Sequence, residues 1–271
     1  MNNRKYQYLD AGLNPQKAAD HTLLVQVGAD SFSFAVTDGQ KLLLLAENLN
    51  PDELNGAGGD DDPLFRNYAK RIIGLDYSGF TFIPSAIFDP QKTADFARFL
   101  NVKSTEKVFS QPVDAGNQVI FKASDKISDK IATNFDLKDV VFGPAGWIKA
   151  VANSNPAAKS LYLNITANRA EILNFTDDKI RFFNRFEFMN EDELAYFATV
   201  VAGELEILPA TVSIYVSGGI AIGDKNFTRL QKFFGRVYVN TANPVQLPAQ
   251  FVPYSLLPLT ALTLCGSSEA H

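Results

Sequence analysis

The groups in this sequence able to do chemistry are few and of three kinds: glycine-bearing turns, scattered carboxylates, and a very small stock of histidine and cysteine. Two histidines, His21 and His271, stand at the start of a strand-like run and at the last residue, too few and too far apart for a His/Cys metal cluster or a histidine-centred triad. The single cysteine, Cys265, excludes an internal disulfide and sits in the apolar run LTALTLCG, where a thiol serves as a small hydrophobe. Carboxylates such as Asp30, Asp38, Glu171 and Glu187 read as turn residues or solvated faces. The stretch LNPDELNGAGGDDDP carries glycines, but Asp60, Asp61 and Asp62 repel a phosphate, so it reads as a surface loop. Ser217-Gly218-Gly219 follows a strand-like run and fits a tight strand-to-helix connection.

The elements that hold these groups belong to an ordinary globular chain. Its 271 residues suffice for one large or two compact domains, and 46% hydrophobic against 20% charged residues lies far from the composition of disorder. A net charge of -5 without any basic run argues against nucleic acid as a partner. No stretch of 18 apolar residues is present and no apolar segment follows the first charges, so no direct membrane span and a cytoplasmic location are expected.

The chain resembles itself. Shifted by 138 residues, TLLVQVGADSFSFAVTDGQKLLL at 22–44 falls without a gap on SLYLNITANRAEILNFTDDKIRF at 160–182. Each copy reads as a three-strand meander, turning at Ala29-Asp30 and Asp38-Gly39 in the first and at Ala167-Asn168 and Asp177-Asp178 in the second. After each meander a helix is expected: 62–75 with Leu64, Tyr68, Ile72 and Leu75 on one stripe, and 191–205 with Leu194, Phe197, Val201 and Leu205. The second half continues as strand 212–216, helix 225–234, strand 237–239 and helix 254–264; the first half offers strand 119–122, helix 126–135, strand 139–142 and helix 145–153. Between its helix and this set lies an extra piece, 77–113, read as an inserted subdomain. The expected architecture is α/β, two βββαβαβα halves at 1–156 and 157–271 with mixed sheets facing across a cleft.

This arrangement resembles the actin-like ATPase superfamily, with its ribonuclease H-like halves, over nearly the whole chain. The extra piece resembles the inserted subdomain of the bacterial cell-division actin homologue and the type IV pilus assembly actin-like protein. The whole sequence is also similar to a bacterial family of unknown function assigned to that superfamily. The resemblance implies ATP with magnesium: the two hairpin tips cradle phosphates, strand-borne carboxylates hold the metal through water, and a Gly-Gly turn approaches the adenosine. Carried onto this chain, the first tip is Gly28-Ala29-Asp30-Ser31, with Gly28, Asp30 and Ser31 as candidate contacts. The second tip is Thr166-Ala167-Asn168-Arg169, with Asn168 and Arg169, and the adenosine turn is Ser217-Gly218-Gly219.

At the two positions where the superfamily places its carboxylates this chain has Gln26 and Asn164. A hard cation prefers carboxylate and water, and phosphoryl transfer depends on its charge, so the pair reads as the mark of a site unable to hydrolyse. The same amides are also explained as strand residues that satisfy neighbouring backbone groups. Arg169 either fills the phosphate space or pairs with a phosphate. The expectation is a noncatalytic scaffold or adaptor with no catalytic residue, metal or cofactor, acting through a protein partner or self-association; the phenylalanines of IRFFNRFEF at 180–188 offer a surface for it. The alternative is an ATPase or kinase of the same superfamily with shifted acids, in which Asp30 replaces the missing strand carboxylate.

Overall fold

The computed structural model describes residues 6–56 and 62–267; Asp60, Asp61 and His271 lie outside them. It divides into two compact units. The first gathers the described residues up to Lys149, Pro244–Pro248 and those from Leu259 onward; the second holds Ala150–Asn243 and Ala249–Pro258.

In the first unit the chain runs through β1 (Tyr8–Leu9), β2 (Thr22–Val27), β3 (Phe32–Thr37), β4 (Leu42–Leu49), β5 (Lys70–Leu75) and β6 (Gly79–Pro84). It continues through the short helix α1 (Thr93–Ala97), β7 (Glu106–Pro112), β8 (Asn117–Ser124), α2 (Asp125–Asn134) and β9 (Val140–Phe142) to α3 (Ala145–Ala152), within which the first unit gives way to the second. The meander forms as its alternation and turn residues dictate, and Gly39 takes φ +93° at the Asp38-Gly39 turn. The main sheet has the order β1-β4-β3-β2-β5-β9, with β2, β5 and β9 parallel.

Two expected elements differ. Residues 62–75 are not a helix: a turn at Asp62 leads to β5, parallel to β2 with Val25 opposite Ile73. The stripe of Leu64, Tyr68, Ile72 and Leu75 has helical spacing, but Ile72, Ile73, Gly74 and Leu75 are all buried in succession, the pattern of an interior parallel strand covered on both faces. Residues 119–122 do form a strand, yet within β8, in a separate antiparallel sheet of order β6-β8-β7 rather than in the main sheet. That small sheet has its own core of Ile83, Ala97 and Ile120. One half-buried carboxylate ties it together: Glu106 accepts from the Lys103 N–H, from Ser78 Oγ at 2.6 Å and from Lys122 Nζ at 2.9 Å. Those donors, the Lys103 amide first, hold its carboxyl down at about 2.

The second unit follows its expected order closely: β10 (Ser160–Thr166), β11 (Arg169–Thr176), β12 (Lys179–Glu187), α4 (Glu191–Glu204), β13 (Ser213–Gly218), α5 (Lys225–Phe233), β14 (Val237–Val239) and α6 (Pro253–Thr260). Asp177 and Asp178 both take positive φ, as a two-residue hairpin turn requires. Asn190 caps α4 by accepting from the Asp192 and Glu193 N–H groups, and three acids fill the helix's first turn, where its dipole favours them. Leu194, Ala195, Ala198, Val201 and Ala202 form the buried face of α4, and Phe227 and Leu230 that of α5; both faces join a core with Leu163, Ile165, Ile214 and Val216 of the sheet. The sheet order is β12-β11-β10-β13-β14, strand for strand that of β4-β3-β2-β5-β9. After α6 the chain passes into 3-10 turns at Ala261–Ser267, so the final helix expected at 254–264 ends early. Among the described residues no helix is long and apolar enough to cross a membrane.

Candidate functional site

Common strand order puts Gln26 and Asn164 at equivalent stations, each on the strand where the meander meets the parallel part of its sheet. Gln26 of β2 lies opposite Ser33 of β3 and Gly74 of β5. Its amide fits between two glycines: a Cβ on Gly74 would stand 2.7 Å from Gln26 Oε1, and one on Gly143 would stand 3.2 Å from Nε2 and 2.9 Å from the Leu75 carbonyl oxygen. Gln26 Oε1 is buried without a hydrogen-bond partner among the described residues. At the adjoining tip the Gly28 N–H donates to the Ser31 carbonyl at 2.9 Å, while Ala29 and Asp30 are exposed. Asp30 therefore lies on the turn and not at Gln26's strand station.

Asn164 of β10 lies opposite Glu171 of β11 and Ser217 of β13. Its Nδ2 donates to Glu171 Oε2 at 2.9 Å, and Arg185 of β12 donates to Glu171 Oε1 at 2.9 Å from Nη2 and 3.3 Å from Nε. Asn164 and Glu171 are each 6% exposed. Glu171 is thus no solvated carboxylate: strand register buries it between an amide and a guanidinium, which supply the opposite charge and donors that a buried carboxylate needs. Asn164 Oδ1, like Gln26 Oε1, is buried without a partner among the described residues.

Gly218 takes φ +84°, and a Cβ there would stand 2.8 Å from Asn164 Oδ1 and overlap the Ile165 carbonyl oxygen. The Gly219 N–H donates to that same oxygen at 2.6 Å, and Ser217 is fully buried. The turn Ser217-Gly218-Gly219 is therefore wrapped around the end of β10. At the second tip Ala167 takes φ +49°, the Asn168 carbonyl accepts from the Phe188 N–H at 2.8 Å, and Arg169 pairs across to Glu187 at 3.4 Å.

Asp76 went unread in the sequence. It follows β5 directly, and its N–H donates to the Val27 carbonyl at 2.8 Å, the bond that Gly219 makes to Ile165 in the other unit. An acid thus stands beside the first tip where the second has glycine, a match visible only once β5 is known to be a strand. Among the described residues no three His, Cys, Asp or Glu side chains gather as they would around a metal ion.

A family model described as a protein of unknown function (DUF3822) matches residues 10–237. No curated protein matches the sequence. Among solved structures, a Bacteroides thetaiotaomicron VPI-5482 protein with an actin-like ATPase fold and unknown function superposes with a TM-score of 0.75 at 17% identity, covering 93% of this chain and 99% of that one. A chain of a PilM-PilN type IV pilus biogenesis complex gives 0.61 at 12% identity, over 90% and 98%. At such identities the likeness is one of fold, and the fold is that of the actin-like ATPases.

Proposed function

The chain belongs to the DUF3822 family of proteins of unknown function, and from that premise we propose that it is a noncatalytic actin-like scaffold or adaptor of the cytoplasm, working through a protein partner. The observation that carries the reading is the pair of neutral amides at the equivalent strand stations. A magnesium ion is held by charged and water oxygens in near-octahedral array. Gln26 offers an uncharged oxygen boxed in by Gly74, and Asn164 turns its oxygen toward Gly218 while its nitrogen serves Glu171, whose charge Arg185 already balances. These residues do not fit a magnesium ion at either station. The fold shared with a chain of the PilM-PilN complex supports a role in protein contacts.

The competing reading, an ATPase or kinase with shifted acids, draws on Asp76 and Asp30 at the first tip. Calorimetric titration with ATP and magnesium, run beside a phosphate-release assay, separates the two. The scaffold reading expects no phosphate release. Magnesium-dependent release that disappears in Asp76→Asn or Asp30→Ala would overturn it.

A further inference from the structure

The two sheets end on equivalent short strands, and the two ends are finished differently. In the first unit the Phe142 N–H, which points away from the sheet, is satisfied by Gln111 Oε1 of β7 at 2.8 Å. Val239 of the second unit corresponds to Val140, since Ile73 pairs with Val140 as Val216 pairs with Val239, and the Val140 N–H, which like that of Phe142 points away from the sheet, is taken by the Leu137 carbonyl. The Ile214 N–H donates to the Arg236 carbonyl and the Asn240 N–H to the Val216 carbonyl, so the even-numbered residues of β14 face β13. Parallel pairing then turns the backbone groups of Val237 and Val239 outward, where they meet no partner among the described residues.

Three further features meet at this edge. Tyr162, Tyr215 and Tyr238 stand in register on β10, β13 and β14 and stack at 5.1 and 5.5 Å between ring centroids, and the stack ends on Tyr238, which is 48% exposed. A groove of about 610 Å³ beside it is lined by Tyr215, Tyr238, Ile222, Val239 and Arg236, with no acidic residue among the described residues. Arg236 is exposed and makes no side-chain ion pair or hydrogen bond among the described residues. The opposite edge, β12, is blunted by comparison: its register shifts beside β11, Lys179 and Arg181 are exposed on it, and Asn184 Oδ1 accepts the Arg185 N–H.

We propose that the outer edge of β14 is a docking strand for an extended segment of a partner protein that carries an aromatic residue and, two positions away, a carboxylate. This rests on the adaptor reading and names the partner's chemistry. The backbone of such a segment pairs with the outward groups of Val237 and Val239. Its aromatic ring continues the tyrosine stack beyond Tyr238, and its acid meets Arg236, which lies two residues from Tyr238 and therefore on the same face. Charge complementarity decides for an acidic partner over a second copy: among the described residues the lining charge is the Arg236 guanidinium, which a second β14 has no acid to answer.

The probe is a fluorescein-labelled heptapeptide, TEVYVET, whose acids flank the tyrosine at the required spacing in either strand direction. Fluorescence anisotropy with the full chain is expected to show saturable binding, about tenfold weaker for TKVYVKT and for TEVYVET against Arg236→Ala, the loss of one charged hydrogen bond. Val239→Pro, which removes an outward N–H, is expected to abolish binding, with circular dichroism and melting temperature confirming that the variant folds. Equal affinity for the two peptides, no saturable binding, or undiminished binding to Val239→Pro would overturn the proposal. So would a concentration-dependent dimer in sedimentation that Val239→Pro abolishes, which would give the edge to a second copy. Magnesium-dependent ATP hydrolysis by a protein that still binds TEVYVET would sink the adaptor reading and leave the docking strand standing.

Discussion

Gln26 and Asn164 occupy the same station of two sheets with the same strand order, yet their surroundings have settled in opposite ways. Around Gln26 the fit is close and the strand neighbours are neutral: two glycines leave just room for the amide, and the facing residue on β3 is Ser33. Around Asn164 there is a buried carboxylate, Glu171, paired with the half-buried Arg185, and the amide is bonded to that carboxylate. A strand position without a carboxylate is thus stabilised in one unit by steric accommodation and in the other by a charged network, so the two stations should answer mutation differently.

The largest expected difference comes from charge. Arg185→Met takes the guanidinium away from the buried Glu171 carboxylate and is expected to cost about 3 kcal/mol in denaturant unfolding. No substitution of Ser33, the counterpart of Glu171, has such a charge to strand, and Ser33→Ala is expected to stay within about 1 kcal/mol. Equal losses would break the contrast.

Next come the glycines. Gly218→Ala puts a side chain at φ +84° against a backbone oxygen and is expected to cost about 3 kcal/mol. Gly74→Ala meets the movable ends of Gln26 and Leu262, so a cost of about 1–2 kcal/mol is expected, partly relieved in the double variant with Gln26→Ala.

A pH series sharpens the comparison further. Asn164→Asp sets a second carboxylate against Glu171, and the pair then holds a proton more tightly when folded than when unfolded. Its stability is therefore greatest below the ordinary carboxylate pKa of about 4 and falls as pH rises toward 7, by about 2 kcal/mol relative to the native chain. Gln26→Glu, with no acid opposite it on β3, is expected to show a smaller slope in melts across the same range.

The smallest effect belongs to the second tip, where Ala167→Gly releases a side chain from φ +49° and is expected to raise stability by about 0.5 kcal/mol, with no counterpart at Ala29.

Much of this contrast was legible in the sequence, and the missing parts share a cause. The meanders, α4, β13, α5 and β14 announce themselves because alternation, caps and turn residues are local signals. The stations of Gln26 and Asn164 followed from the 138-residue offset. The strand β5 did not, since a strand covered on both faces loses its alternation and Leu64, Tyr68, Ile72 and Leu75 then mimic a helical stripe. That misreading hid Asp76, whose place beside the first tip depends on where β5 ends. Glu171 was misread for a related reason: nothing near it in the chain announces Arg185, 14 residues on, and only the pairing of β11 with β12 brings them together.

The segment after α6 sets an order of events. Ala261 and Leu262 are completely buried in the first unit, so close to Gly146 that a single Cβ there would strike the Ala261 carbonyl, and Leu262 closes over Gly74 of β5. During synthesis, then, the unit whose strands leave the ribosome first is left waiting for one of its innermost pieces until translation has passed residue 262, and its early strands must be kept from aggregating while the whole second sheet is being made.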